Sequence, residues 1–148
     1  MPDIRRVSPA EAKRLVDEEG YVYVDVRSVP EFEAEHPQGA WNVPLMHAGP
    51  SGMEPNPDFH AVMGAAFPKD AKIVLGCRGG NRSLRALQML AQKGFTNLVD
   101  QRAGFDAARD PFGGVTEKGW KGAGLPTSTG PGGERSWEAL ARAAAAKR

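Results

Sequence analysis

The sequence predicts an α/β fold with a mostly parallel central sheet covered by helices on both faces. Two observations carry this. Short runs dense in β-branched and aromatic residues alternate along the chain with amphipathic stretches of helical period, an order that requires crossover connections and hence parallel strands. The strand-like runs also read as continuous apolar segments, as strands buried on both faces do. At 148 residues the chain is long enough for one domain with a sizeable core.

Each element has a local cause. "SPAEAKRLVDEEG" (8–20) is a helix in which Ser8 caps, Pro9 takes the first helical position and Glu11 completes a capping box. Ala12, Leu15 and Val16 form its apolar face, and Gly20 is its left-handed terminator. "YVYVDV" (21–26) is a short buried strand, too rich in β-branched and aromatic residues for a helix. "VPEFEAEH" (29–36) gives one or two helical turns, and "GAWNVPL" (39–45) a short strand or extended segment ended by Pro44. Residues 56–66 hold a weak helix, and "KIVLGC" (72–77) is the second clear strand. "SLRALQMLAQKG" (83–94) is a helix with Leu84, Leu87, Leu90 and Ala91 on one face and Gly94 after its last turn. "TNLVDQ" (96–101) is a further strand and "AGFDAARD" (103–110) a helical turn.

The 18 glycines and 12 prolines crowd into residues 44–57 and 111–133, which are expected to be loops. The organisation expected is a domain over 1–126, a linker over 127–133 and an amphipathic helix over 134–148. Trp137, Leu140, Ala141 and Ala144 share a face of that last helix, which serves either packing on its own domain or dimerisation. Monomer and homodimer both stay open.

Composition narrows the function. A net charge of +1 argues against a general nucleic-acid binder or a membrane-surface protein, so any basic site is local. No apolar run is long enough to cross a bilayer, and residues 1–20 show no signal-peptide core. A single cysteine forms no internal disulfide, so the fold needs no oxidising compartment and a cytoplasmic location is expected. His36, His47 and His60 have no metal-ligand spacing, so no metal is expected.

That one cysteine is the centre of interest. A lone cysteine after a strand is ordinarily a small core residue. Cys77, however, lies where the strand ends near Gly76 and a helix starts near Ser83, which in a parallel sheet is the edge where ligands bind. Unpaired N–H groups and the positive end of the helix dipole converge there. Gly79 and Gly80 let the chain curl into an anion-binding nest, and Arg78 and Arg82 add fixed positive charge. Surroundings of this kind favour a cysteine thiolate.

The run Cys77-Arg78-Gly79-Gly80-Asn81-Arg82-Ser83 resembles the C-x-x-G-x-R-[ST] loop of rhodanese-type sulfurtransferases. "VDVRSVPEFEAEH" with "GAWNVPL" resembles the family's first signature, and "GFTNLVDQRAGFDA" with "GWKGAGLP" its closing segment, so the likeness covers most of residues 4–126. Two departures stand out. His36-Pro37-Gln38-Gly39-Ala40 replaces the usual His-Ile-Pro-Gly-Ala, and residues 109–119 form an insertion before Trp120 that either shapes the pocket rim or is a surface loop.

The resemblance implies a rhodanese-like sheet of about five strands and a catalytic Cys77 that becomes a persulfide. It needs no cofactor beyond that covalent intermediate. It implies that the amides of residues 78–82 cradle the terminal sulfur, with Gly79, Gly80, Asn81 and Ser83 in the substrate site. Arg82 orients the loop and Arg78 draws in a small anionic donor such as thiosulfate. Asp25, Arg27 and Glu31 are implied as supporting hydrogen bonders. The partners implied are that donor and a thiol or sulfur-relay acceptor, with neither nucleic acid nor membrane.

Two other functions compete. One is a cysteine phosphatase or arsenate reductase on a related scaffold, but phosphatase loops carry one residue more between cysteine and arginine than the four found here. The other is a non-catalytic rhodanese-like binding module, against which the presence of both Cys77 and Arg82 argues.

Overall fold

A computed structural model describes residues 4–147. In chain order the elements begin β1 (Arg6–Val7), α1 (Pro9–Glu18), β2 (Val22–Asp25), α2 (Val29–Ala34), β3 (His36–Pro37) and β4 (Trp41–Asn42). There follow β5 (Met46–Gly49), β6 (Gly52–Pro55), α3 (Phe59–Ala66), β7 (Lys72–Gly76), α4 (Asn81–Gln92) and β8 (Asn97–Gln101). The chain closes with β9 (Ala107–Arg109), β10 (Val115–Lys118), β11 (Thr127–Ser128) and α5 (Trp137–Ala146).

Five strands form the central sheet in the order β1-β8-β7-β2-β4, and every neighbouring pair is parallel. The expected α/β architecture is present. The register aligns Asp25 with both Gly76 and Asn42, Leu75 with Asp100, and Val7 with Gln101. These residues therefore share one edge, where all the strands end. Alternate residues of β7 point to opposite faces: Ile73 and Leu75 meet α3, α4 and α5, and Val74 meets the side holding Leu15, Phe32 and Trp120. That two-sided burial is why β7 reads as an unbroken apolar run.

Several local expectations need correction. Ser8 caps α1 by accepting the Glu11 N–H at 3.1 Å, but the Glu11 carboxylate turns to Arg14 instead of closing a box. A box forms at the head of α2, where the Ser28 N–H donates to Glu31 Oε1 at 3.1 Å. Helix α4 starts at Asn81, two residues before the expected Ser83 (Gly80, at φ +94°, turns the chain into it). Residues 107–109 are strand β9 and not a helical turn, because Asp110 Oδ1 accepts the N–H groups of Phe112 and Gly114 and folds the chain back as β10. The insertion is thus a β-hairpin.

Residues 46–55, expected as loop, pair as the β5–β6 hairpin. Strand β1 has only two residues and gave no pattern to read. The expected linker is tied down at its start, where Thr127 and Ser128 pair antiparallel with Pro37 and His36. Helix α5 lies against α3, with Leu140 and Ala144 buried in the core and Lys147 donating to the Ala65 carbonyl at 2.6 Å. Among the described residues, no helix is long and apolar enough to cross a membrane.

Candidate active site

Cys77 follows β7 directly and is only 2% exposed. Its sulfur faces the turn leading into α4. The Gly80 N–H donates to Sγ at 3.1 Å, and Ser83 Oγ lies within hydrogen-bond reach of Sγ at 3.4 Å. The dipole of α4 points its positive end at this turn. The turn is clasped from outside: Phe105 N–H donates to the Cys77 carbonyl at 2.7 Å and Asp106 N–H to the Arg78 carbonyl at 3.0 Å. Such close approach needs glycine. A Cβ at Gly104 would sit 2.4 Å from the Arg78 carbonyl oxygen, and one at Gly80 would sit 2.2 Å from that of Arg102.

Arg82 reaches across to α2 and binds Glu31 in bidentate fashion at 2.8 and 2.9 Å. Its guanidinium therefore clamps the first turn of α4 to α2 as well as lining the site. Burial works against the Glu31 charge, but hydrogen bonds from Arg82 and Ser28 outweigh it and lower the carboxyl to about 2. A carboxyl depressed in the folded state stabilises fully above its unfolded value near 4.5, and that contribution is lost as pH falls towards 2. Thermal denaturation followed across that window is expected to show a falling midpoint, with a shallower fall in Glu31→Gln. Equal slopes for the two proteins would remove the clamp from the explanation.

The other supporting residues stay off the cleft. Asp25 and Arg27 form a buried pair at 2.8 Å, with Arg27 also donating to the Glu35 carbonyl at 2.7 Å. The Arg27 guanidinium lies 4.4 Å from the centre of the Phe105 ring. The pair thereby braces the segment that clasps Cys77, a framework role. His36 is also structural: its ring stacks on Phe32 at 3.7 Å and Nδ1 lies 2.8 Å from the Phe32 carbonyl oxygen. Burial pushes its pKa down. Trp120 packs edge-on against Tyr23 at 5.2 Å.

Cys77, Arg78, Gly79, Asn81 and Arg82 line an open cleft of about 970 Å³. Gly80 and Ser83 sit at the sulfur beneath it. The opposite wall is made by Asp106 to Asp110 and by Thr116 and Glu117 of the hairpin, so the 109–119 insertion shapes the pocket rim, one of the two alternatives that the sequence left open. Sequence reasoning missed Arg6 and Arg102. Arg6 binds the buried Asp100 at 2.7 Å and donates to the Gly80 carbonyl at 3.3 Å, and Arg102 binds Glu117 at 2.8 and 2.9 Å. Burial pushes the Asp100 carboxyl up against the opposing pull of Ser83 and Arg6. The β-branched pair Val115-Thr116 directly after Gly113-Gly114 was the local signal for the second strand of the hairpin.

Arginines around the cleft are matched unevenly to acids. Arg6, Arg82 and Arg102 each hold a carboxylate within 2.9 Å. Arg78 and Arg109 share the single Asp106, at 3.6 and 3.7 Å. Asp110 stands on the same wall, so the two arginines there are balanced by two carboxylates but held more loosely than the other three.

A cysteine at the end of a parallel strand, over a helix N-terminus and among guanidiniums, stands where an α/β domain receives small anionic ligands. The chain belongs to the rhodanese-like family, whose domain model matches residues 8–110. It is 39% identical over 108 residues to the chloroplastic thiosulfate sulfurtransferase 16 of Arabidopsis thaliana, a match covering 73% of this chain and 80% of that protein. It is 30% identical over 105 residues to the mitochondrial protein HIGH ARSENIC CONTENT 1 of the same plant, covering 71% of this chain and 62% of that one. For other curated relatives the matched part is about half of their length, 53% and 54%. Among solved structures, Rv0390 from M. tuberculosis superposes with a TM-score of 0.70 at 26% identity, covering 87% of this chain and all of that one.

Proposed function

We propose that this protein is a sulfurtransferase that takes a sulfane sulfur onto Cys77 and passes it to a thiophilic acceptor, with thiosulfate or a similar small anion as donor. The observation that carries this reading is the Gly80 N–H held 3.1 Å from Cys77 Sγ in a loop with only four residues between Cys77 and Arg82. A cradle of that size suits one sulfur atom better than a tetrahedral phosphoryl group. In the first half-reaction, the Cys77 thiolate attacks the outer sulfur of thiosulfate. The sulfur–sulfur bond of the donor breaks, its electron pair leaves with sulfite, and Cys77 carries a persulfide anion. In the second, an acceptor thiolate or cyanide attacks the terminal sulfur, and the bonding pair returns to Sγ.

The chain's own groups divide the work. Backbone N–H groups of the turn and the α4 dipole stabilise the negative sulfur. Ser83 holds Sγ from below. Arg78, 68% exposed at the mouth, draws in the anionic donor. Arg82 keeps the turn in place through Glu31. Mass spectrometry after thiosulfate treatment is expected to show Cys77 heavier by one sulfur atom, removable by cyanide or a thiol. An unmodified Cys77 alongside phosphatase or arsenate reductase turnover would overturn the proposal.

A further inference from the structure

Three buried polar groups meet between α4 and the sheet, beneath the cleft. Asp100 of β8 pairs with Leu75 of β7 on one side and with Arg6 of β1 on the other. Its neighbour Val99 faces the Leu15 and Trp120 side, so Asp100 lies on the α4 face together with Leu75 and Cys77. Ser83, in the first turn of α4, is fully buried against that face. Its hydroxyl is 3.4 Å from Cys77 Sγ. Burial opposes the Asp100 charge, and Ser83 and Arg6 favour it. Arg6 Nε donates to Asp100 Oδ2 at 2.7 Å, whereas Oδ1 is buried with no hydrogen-bond partner among the described residues. A carboxylate oxygen left in that state is costly, and a proton on it removes the charge that makes it so. Cys77 and Asp100 are two acids one serine apart, and buried acids so placed share a proton in preference to ionising together.

We propose that Asp100 is the proton acceptor for the Cys77 thiol: Ser83 relays the proton, and Asp100 Oδ1 holds it while the cysteine is anionic. This deepens the sulfur-transfer reading and rests on it for the donor. The Sγ–H bond breaks as its proton passes to Ser83 Oγ, and the Ser83 hydroxyl proton passes to Oδ1. Sγ keeps the bonding pair. Both hydrogen bonds then run back towards sulfur, from Oδ1–H to Ser83 and from Ser83 to the thiolate. Attack on thiosulfate exchanges the thiolate for a persulfide anion and releases no proton, so Asp100 stays neutral through the cycle. Arg6, which lines the cleft, then faces the anionic donor without a countercharge. Asp100 acts through Ser83 and is a positioning residue. The other groups facing the pair are Arg6 from β1, Arg82 from α4 and Tyr23 from β2. Both arginines keep their charge, and burial pushes the Tyr23 hydroxyl up. Glu31 and Asp25 behind them are locked to Arg82 and Arg27.

Carbon-13 NMR of the Asp100 carboxyl and the rate of Cys77 alkylation by iodoacetamide, each followed with pH, test the relay without sulfur transfer. In the unaltered protein both are expected to titrate in the same two steps, the first leaving one proton shared and the second removing it. In Cys77→Ser the Asp100 signal is expected to move in a single step, at lower pH than the second step of the unaltered protein. Asparagine mimics the protonated acid, so Asp100→Asn is expected to reach full alkylation in one step. Between the two steps of the unaltered protein it reacts faster by about twofold or more, the factor for an evenly shared proton. Ser83→Ala is expected to lose the lower alkylation step, because thiolate and acid both lose their partner. A single carboxyl step at the same pH with and without Cys77 would overturn the proposal, a comparison that needs no change at Asp100 and decides even if Asp100→Asn does not fold. So would a two-step alkylation profile unchanged in Ser83→Ala, since charge alone would then couple the groups. Two-step profiles beside a Cys77 that thiosulfate leaves unmodified would fail the sulfurtransferase reading and spare the relay.

Discussion

Cys77→Ser is expected to abolish sulfur transfer, by on the order of 10³-fold or more, while leaving the melting temperature nearly unchanged. The side chain is buried among the turn's own groups, and a serine hydroxyl fits the same space and can still accept the Gly80 N–H. What it cannot do is hold a transferable sulfur. Steady-state turnover with thiosulfate and cyanide, beside a thermal melt, checks both halves. Residual turnover near the original level would move the chemistry away from Cys77, and a collapsed melt would make the cysteine a packing residue first.

The second large effect is expected at Gly80. Alanine there must adopt φ +94° and place its Cβ 2.2 Å from the Arg102 carbonyl oxygen, a backbone atom that cannot swing aside. The strain and the clash together are expected to destabilise by about 3–5 kcal/mol and to displace the N–H that faces Sγ. Gly79 is the control. It has no positive φ, and its Cβ would stand 3.3 Å from the Ala107 carbonyl oxygen, so Gly79→Ala is expected to cost about 1 kcal/mol or less. Denaturant unfolding of the two variants ranks them. Equal losses would show that the turn tolerates a side chain at Gly80 and that its conformation is not what positions the sulfur.

The sheet and the cysteine turn were legible in the sequence because each rests on short-range pattern. The apolar run of β7, the 3.6-residue stripe of α4 and the Cys77-to-Ser83 spacing all sit within a few residues of one another. Less legible were features decided at a distance. The Glu11 and Glu31 carboxylates look equally suited to capping boxes, but Arg14 lies one turn from the first and takes it. Residues 107–109 carry alanines that favour a helix, yet the turn at Asp110 makes them a strand. Arg6 and Arg102 entered the site only through pairing across β1 and β8. No local pattern marks a two-residue strand or the charge partner of a distant arginine.

The clasp around Cys77 has a consequence for how this protein comes to life during folding. The turn is held by Arg6 near the chain's start, by Glu31 from α2, and by Phe105 and Asp106 nearly thirty positions downstream of the cysteine. Each tie spans a long loop whose closure entropy must be met before the tie rewards it. The geometry at the sulfur therefore cannot be assembled by a fragment or early in collapse. Recovery of turnover on refolding is a late, cooperative event, and lost activity is a sensitive early report of the sheet beginning to come apart.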